Sequence, residues 1–305
     1  MNHSDEIRIA LSAGGKSAEL AAHGLGTEHI DELMVRLARK LLKDGHRLAF
    51  GGTIGVSGQT LTENLIDAAL SWLDEDSARK SDVKEPETWP LVNYSAWPFY
   101  KQVTNERRAQ LVGVCRFVDV DPPSISQPEL TASVDDLSVN PQARLHAADA
   151  LTAMREQSAQ ETDLRIVWGG VFQGAKGWMA GILEEVALSL WHDKPVLVLG
   201  GLGGCARLLA DFLLDANAPW PEDLSLKASE DRERDHLHSA TARGEQEARF
   251  EAFKQRFAEY RSAIHSQERV HGISTELLRQ ALVESSSSRV LGLAASAAQQ
   301  CRGKR

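Results

Sequence analysis

The sequence predicts an α/β protein: a Rossmann-like open, mostly parallel sheet with helices on both faces, extended by C-terminal helices. Three observations predict it. Short apolar runs at 7–11, 48–50, 165–168 and 195–199 alternate with stretches of helical spacing, the pattern of parallel strands buried on both faces. Each run ends in a glycine-rich loop, and a helical stretch follows it. In such sheets ligands bind at the carboxyl ends of the strands, where these loops fall.

The first run ends in Ser12-Ala13-Gly14-Gly15-Lys16, a strand-to-loop turn without the G-x-G-x-x-G spacing of dinucleotide-binding enzymes. A nicotinamide-dependent dehydrogenase is therefore disfavoured. Leu33, Met34, Leu37 and Leu41 recur at three-four spacing, so a helix with one buried face is predicted, closed by Gly45. Leu48-Ala49-Phe50 then enters Gly51-Gly52-Thr53-Ile54-Gly55-Val56-Ser57-Gly58, and Leu61, Leu65, Ile66 and Ala69 mark the next helix. Thr53 and Ser57 offer hydroxyls either to a phosphate or to the helix end.

Residues 74–87 are charged and read as a solvent loop, and 91–94 as a strand. Trp97, Phe99 and Tyr100 beside Lys101, Arg107 and Arg108 allow two readings: a base-stacking, phosphate-holding cluster, or core aromatics next to a solvated helix face. The proline-rich stretch 121–142 reads as a long loop, followed by a helix over about 143–160.

The central stretch carries Arg165-Ile166-Val167-Trp168-Gly169-Gly170, Val171-Phe172-Gln173-Gly174-Ala175-Lys176-Gly177, Gly181-Ile182-Leu183-Glu184-Glu185, and Gly200-Gly201-Leu202-Gly203-Gly204-Cys205-Ala206-Arg207. Glycine lets backbone amides approach an anion closely. Lys176, the cation of its loop, is the first choice for a phosphate ligand, since an ammonium and helix-N-terminal amides can share one phosphate. Glu184 and Glu185 are adjacent on a helix, too far apart in angle to act as a facing pair; a ligand or acid–base role is expected for at least one. Arg207, near a helix start, is either an anion ligand or a surface arginine. Cys205 reads as a packed small residue.

Beyond 214 the composition changes. Residues 216–247 are expected to form a charged, mobile linker after a binding domain over 1–215, with helices over 248–305. His236 and His238 beside Asp235 lack a full ligand set, so no metal is expected there. Phe250, Phe253, Phe257, Tyr260 and Ile264 form one helical stripe that packs on the parent domain or, alternatively, on a second copy.

The chain has 305 residues, a hydrophobic fraction of 42%, 25% charged residues and a formal net charge of −9. That charge argues against broad binding to nucleic acid or anionic membrane. Cys115, Cys205 and Cys301 form neither a disulfide framework nor a metal pattern, which fits a reducing, cytoplasmic setting. No signal peptide or transmembrane segment is expected.

The glycine cues, in their order and spacing, resemble the SLOG superfamily (Smf/DprA–LOG-like), whose members include the ligand-sensing domain of TRPM channels and prokaryotic sensor domains. The likeness covers about residues 7–213. It implies a Rossmann-like fold that binds nucleotides or nucleotide sugars, often ADP-ribose derivatives, without a metal or other required cofactor. In the LOG enzymes of this group a Gly-Thr motif followed by a glutamate helps to cleave the base from a nucleoside monophosphate. Here the segment 171–180 separates Gly169-Gly170 from Glu184-Glu185 and no Gly-Thr pair lies between, which favours binding over N-glycosidic hydrolysis. The expected ligand contacts are Gly14, Gly15, Gly51, Gly52, Thr53, Gly169, Gly170, Gly174, Lys176, Gly177, Glu184, Glu185, Gly201, Gly203, Gly204 and Arg207. The expected partners are a small nucleotide, a second copy of the chain and a separate effector chain.

Overall fold

The computed structural model describes residues 6–14, 26–54, 61–75, 79, 85–123, 131–172, 174–226, 231–237 and 240–302. Gly15, Ser57 and His238, singled out above, lie outside the described residues. Six strands form one sheet: β1 (Arg8–Ala13), β2 (Arg47–Gly51), β3 (Leu91–Ala96), β4 (Cys115–Val120), β5 (Leu164–Trp168) and β6 (Val196–Leu199). Their order is β4-β3-β2-β1-β5-β6, and every neighbouring pair is parallel. The Rossmann-like α/β architecture read from the sequence is the one observed.

Local chemistry sets the helices. In α1 (Thr27–Lys43) Glu28 sits in the first turn and Lys40 and Lys43 in the last, each charge opposing the helix dipole. Gly45, at φ +82°, lets the chain leave that helix in a left-handed conformation. Further along are α2 (Leu61–Asp74) and the short α3 (Asn105–Gln110). Helix α4 (Pro141–Glu161) begins where Asn140 Oδ1 accepts from the amides of Gln142 and Ala143, with Pro141 in the first turn. It crosses the sheet from β4 to β5. Strand β3 is buried along its whole length, and its Tyr94 and Ala96 pack with Ala143, Ala147 and Met154 of that helix. Trp97 and Phe99 are buried in the same cluster, so these two aromatics pack. Arg107 and Arg108 are held by Glu63 and Asp119, at 2.5 and 2.9 Å.

Helices α5 (Gly181–Trp191) and α6 (Gly204–Leu214) flank β6, and a short α7 (Arg232–Asp235) follows. The C-terminal part contains α8 (Ala240–Ser266), a hairpin of β7 (Arg269–Val270) and β8 (Ile273–Ser274), α9 (Thr275–Val283) and α10 (Ser287–Arg302). It completes the core of the sheet domain. The stripe Phe250, Phe253, Phe257, Tyr260 and Ile264 is buried on the parent, and the Tyr260 hydroxyl donates to Val196 O at 2.7 Å. Each such side chain contributes on the order of 1.5–3 kcal/mol by leaving water. Helix α9 packs on β6 and α6, and α10 packs on α1, so one apolar cluster runs from Ile7 to Cys301.

Candidate functional site

The strand order reverses between β1 and β5. From β1 the chain winds outward through β2, β3 and β4; it then returns across the sheet and winds the other way through β5 and β6. The carboxyl ends of β1 and β5 therefore flank a topological switch point, the usual position of a ligand crevice. Gly14 and Gly169-Gly170 meet there. Gly14 N donates to Trp168 O at 3.2 Å. A Cβ on Gly14 would lie 2.3 Å from the Cα of Gly170, and a Cβ on Gly169 would lie 2.3 Å from Gly14 O. Gly169 and Gly170 also sit at φ +62° and +88°. These glycines let two backbone segments, the ends of β1 and β5, meet main chain to main chain at the switch point.

The second glycine loop is spoken for differently. Cys205 N and Ala206 N donate to Gly170 O and Gly169 O, both at 2.9 Å, so two amides of the α6 N-terminus tie the loops together. A Cβ on Gly204 would collide with Gly170 O at 2.5 Å. Gly203, at φ +80°, makes the turn into the helix. Gly201 abuts the C-terminal segment, where a Cβ would lie 2.3 Å from Glu284 O. Arg207 pairs with Asp211 one turn along α6, at 2.9 Å and half-exposed. Cys205 is buried, which pushes its thiol up to about 12 and keeps it protonated.

Lys176 is exposed on the loop before α5, with its Nζ 4.8 Å from the Phe99 ring centroid, and makes no ion pair among the described residues. Gly174 turns that loop at φ +68°. Gly177 is buried, and its carbonyl accepts from Arg234 NH1 at 3.0 Å. Arg234 is itself only 2% exposed, stacks 4.4 Å over Trp178 and pairs with Asp235. Asp231 accepts from Arg144 Nε at 2.6 Å. Residues 231–235, part of the stretch expected to be a mobile linker, are thus pinned to α4 and the Lys176 loop. His236 follows as an exposed residue.

Beneath that loop lies a buried ionic network that the sequence reading did not identify. The Glu184 side chain is 1% exposed, ion-paired to Arg155 and hydrogen-bonded by Thr152 Oγ1 at 2.6 Å. Glu185 meets Arg165 NH1 at 3.4 Å and Arg155 Nε at 3.8 Å. Arg165 donates to Ser189 Oγ and Ser12 Oγ at 2.7 Å and to Ser158 Oγ at 3.1 Å. Its burial lowers its pKa from the ordinary arginine value; Glu185 opposes that and Arg155 adds to it. Arg155 fills the space beside Gly177 and Gly181, whose Cβ atoms would lie 2.7 and 2.9 Å from its guanidinium nitrogens. One clue was available, since Arg165 interrupts an otherwise apolar strand and a buried charge needs partners.

On the other side of β1, Gly51, Gly52 and Thr53 line a cavity of about 300 Å³ with Leu11, Ala13, Met34, Phe50, Leu61 and Leu65. Fully buried Asn93 donates to Gly52 O at 3.1 Å, and its Oδ1 has no hydrogen-bond partner among the described residues.

The fold defines a doubly wound α/β protein with a candidate site at the carboxyl edge of its sheet. The chain belongs to the SLOG family: the family model described as SLOG cluster2 matches residues 3–290. The match includes the C-terminal helices up to early α10. No curated protein matches the chain. Among the described residues no helix is long and apolar enough to cross a membrane.

Proposed function

We propose that this chain binds a nucleotide or nucleotide sugar of the ADP-ribose kind across the carboxyl edge of its sheet and acts as a sensor or regulatory protein. The base lies in the cavity at Gly51–Thr53, whose Gly52 carbonyl is held by Asn93, and the phosphates reach toward Lys176. The observation that carries this reading is Lys176 itself. It is an exposed cation on the loop between β5 and α5 with no carboxylate partner among the described residues, whereas Arg155, Arg165, Arg207 and Arg234 are all paired. Membership of the SLOG family supports a nucleotide-type ligand.

Binding is favoured over catalysis because both glutamates are engaged by arginines, Glu184 in full burial. A carboxylate in that state is a poor acid or base for a substrate in the crevice. The test incubates the protein with ADP-ribose, NAD and AMP and chromatographs the mixtures. Binding with every compound recovered intact supports the sensor reading. Release of free base would establish an N-glycosidic-bond enzyme instead.

A further inference from the structure

A second cavity lies at the opposite edge of the sheet. Helix α1 ends at Lys43, and the chain turns through Asp44 and Gly45 into His46, the residue before β2. Helix α10 passes over this turn. Between them is a polar space of about 230 Å³ lined by Lys40, Asp44, His46, Ser296, Gln299 and Arg302. It is below the size of most sites for drug-sized ligands, so a small molecule fits it better than a nucleotide.

The polar groups here are incompletely used. His46 is only 4% exposed, yet among the described residues its Nδ1 has no hydrogen-bond partner, and neither has the buried Nε of Arg302. Both carboxylate oxygens of Asp44 accept from Lys40 Nζ at 2.7 Å. Arg302 donates to the Asp44 carbonyl but pairs with no carboxylate among the described residues. Among the described residues one positive charge is therefore left without a carboxylate, beside an imidazole with a spare nitrogen. Buried polar groups without partners are uncommon, and a ligand is one of their ordinary explanations.

We propose that this cavity is a second binding site, remote from the crevice, for a small oxyanion bearing a carboxylate or phosphate monoester group. Arg302 supplies the charge, Ser296 and Gln299 supply hydrogen bonds at the rim, and His46 supplies a proton-linked donor from below. The His46 pKa is lowered to about 4, first by burial and then by Arg302, with Asp44 opposing and Lys40 adding a smaller lowering. A bound anion offsets Arg302 and Lys40, so binding draws a proton onto His46 and tightens as pH falls. Each unit by which the anion raises that pKa is a ~tenfold gain in affinity at full protonation.

The experiment follows the His46 imidazole by NMR through a pH titration of the full chain, with the signal assigned from its loss in His46→Gln. Inorganic phosphate and succinate are the two probes, at constant ionic strength set with sodium chloride. At least one probe should raise the His46 midpoint by about a unit or more, and which one does so identifies the preferred group. Arg302→Gln should weaken the response by about 10- to 150-fold in probe concentration. Ser296→Ala should weaken it more mildly and serves if Arg302→Gln fails to fold. Lys176→Ala should leave it unchanged, which separates this site from the proposed nucleotide site. A midpoint that neither probe moves, or a response of equal size in Arg302→Gln and Ser296→Ala, would overturn the proposal.

Discussion

Gly14 and Gly170 meet backbone to backbone at the switch point, so closely that a Cβ on the first would lie 2.3 Å from the Cα of the second. No rotamer change relieves a clash with main chain. Gly14→Ala should therefore destabilise the fold by about 1–3 kcal/mol or more through forced separation of β1 and β5. Gly244, in the second turn of α8 with open space around it, is the control. Gly244→Ala should stabilise by about 0.5–1 kcal/mol. Urea unfolding of the two variants checks both signs.

Glu184 and Arg155 make a second prediction. Glu184→Gln leaves the Arg155 guanidinium buried without its main counter-charge and should cost about 3 kcal/mol. The double replacement Glu184→Met, Arg155→Met should recover much of that loss, because an apolar pair does not strand a charge. Equal stability of Glu184→Gln and wild type in urea would show that the carboxylate is not structural.

The strap at Arg234 gives a third. Arg234→Ala removes the stack on Trp178 and the hydrogen bond to Gly177 O. Amide hydrogen exchange should then accelerate over residues 174–180 while the central strands keep their protection. Unchanged exchange there would mean that Arg234 does not hold the loop.

The acid response of the fold rests partly on His46. Its folded pKa of about 4 is below the ordinary 6.5, so the unfolded chain takes up the proton first. The stability it contributes is complete above about pH 6.5 and is lost as pH falls toward 4. The loss amounts to about 2 kcal/mol once solvent screening at the cavity mouth is allowed for. Urea unfolding at stepped pH should show a shallower decline in His46→Gln than in wild type across that window. Parallel curves would contradict it.

Much of this fold is legible in the sequence because each strand that ends in a glycine loop is mostly apolar, and buried parallel strands read that way. Strand β4 escaped for the opposite reason. It is an edge strand in which Arg116 and Asp119 interrupt Phe117 and Val118, and only Cys115 is buried. Several glycine cues fall at the β1/β5 switch point, but spacing alone could not show which glycines face another part of the chain. Gly201 faces the carbonyls of Val283 and Glu284, and Gly204 faces Gly170. Both partners are distant in sequence. The partners of Glu184 and Arg165 were hidden for the same reason, since they come from α4, β1 and α5 and meet only after the sheet is wound.

The central claim is that Lys176 anchors the phosphates of a nucleotide-type ligand at this crevice. Calorimetric titration of wild type, Lys176→Ala and Lys176→Arg with ADP-ribose, and with NAD and AMP in parallel, tests it most directly. At ligand near 100 times the dissociation constant the wild type should gain about 2.7 kcal/mol, a melting shift on the order of 5–10 °C. Lys176→Ala should lose about 10- to 150-fold in affinity with its unfolding curve unmoved, and Lys176→Arg should recover only part of that. Equal affinities in all three proteins, or no binding of any of the three compounds to wild type, would contradict the account.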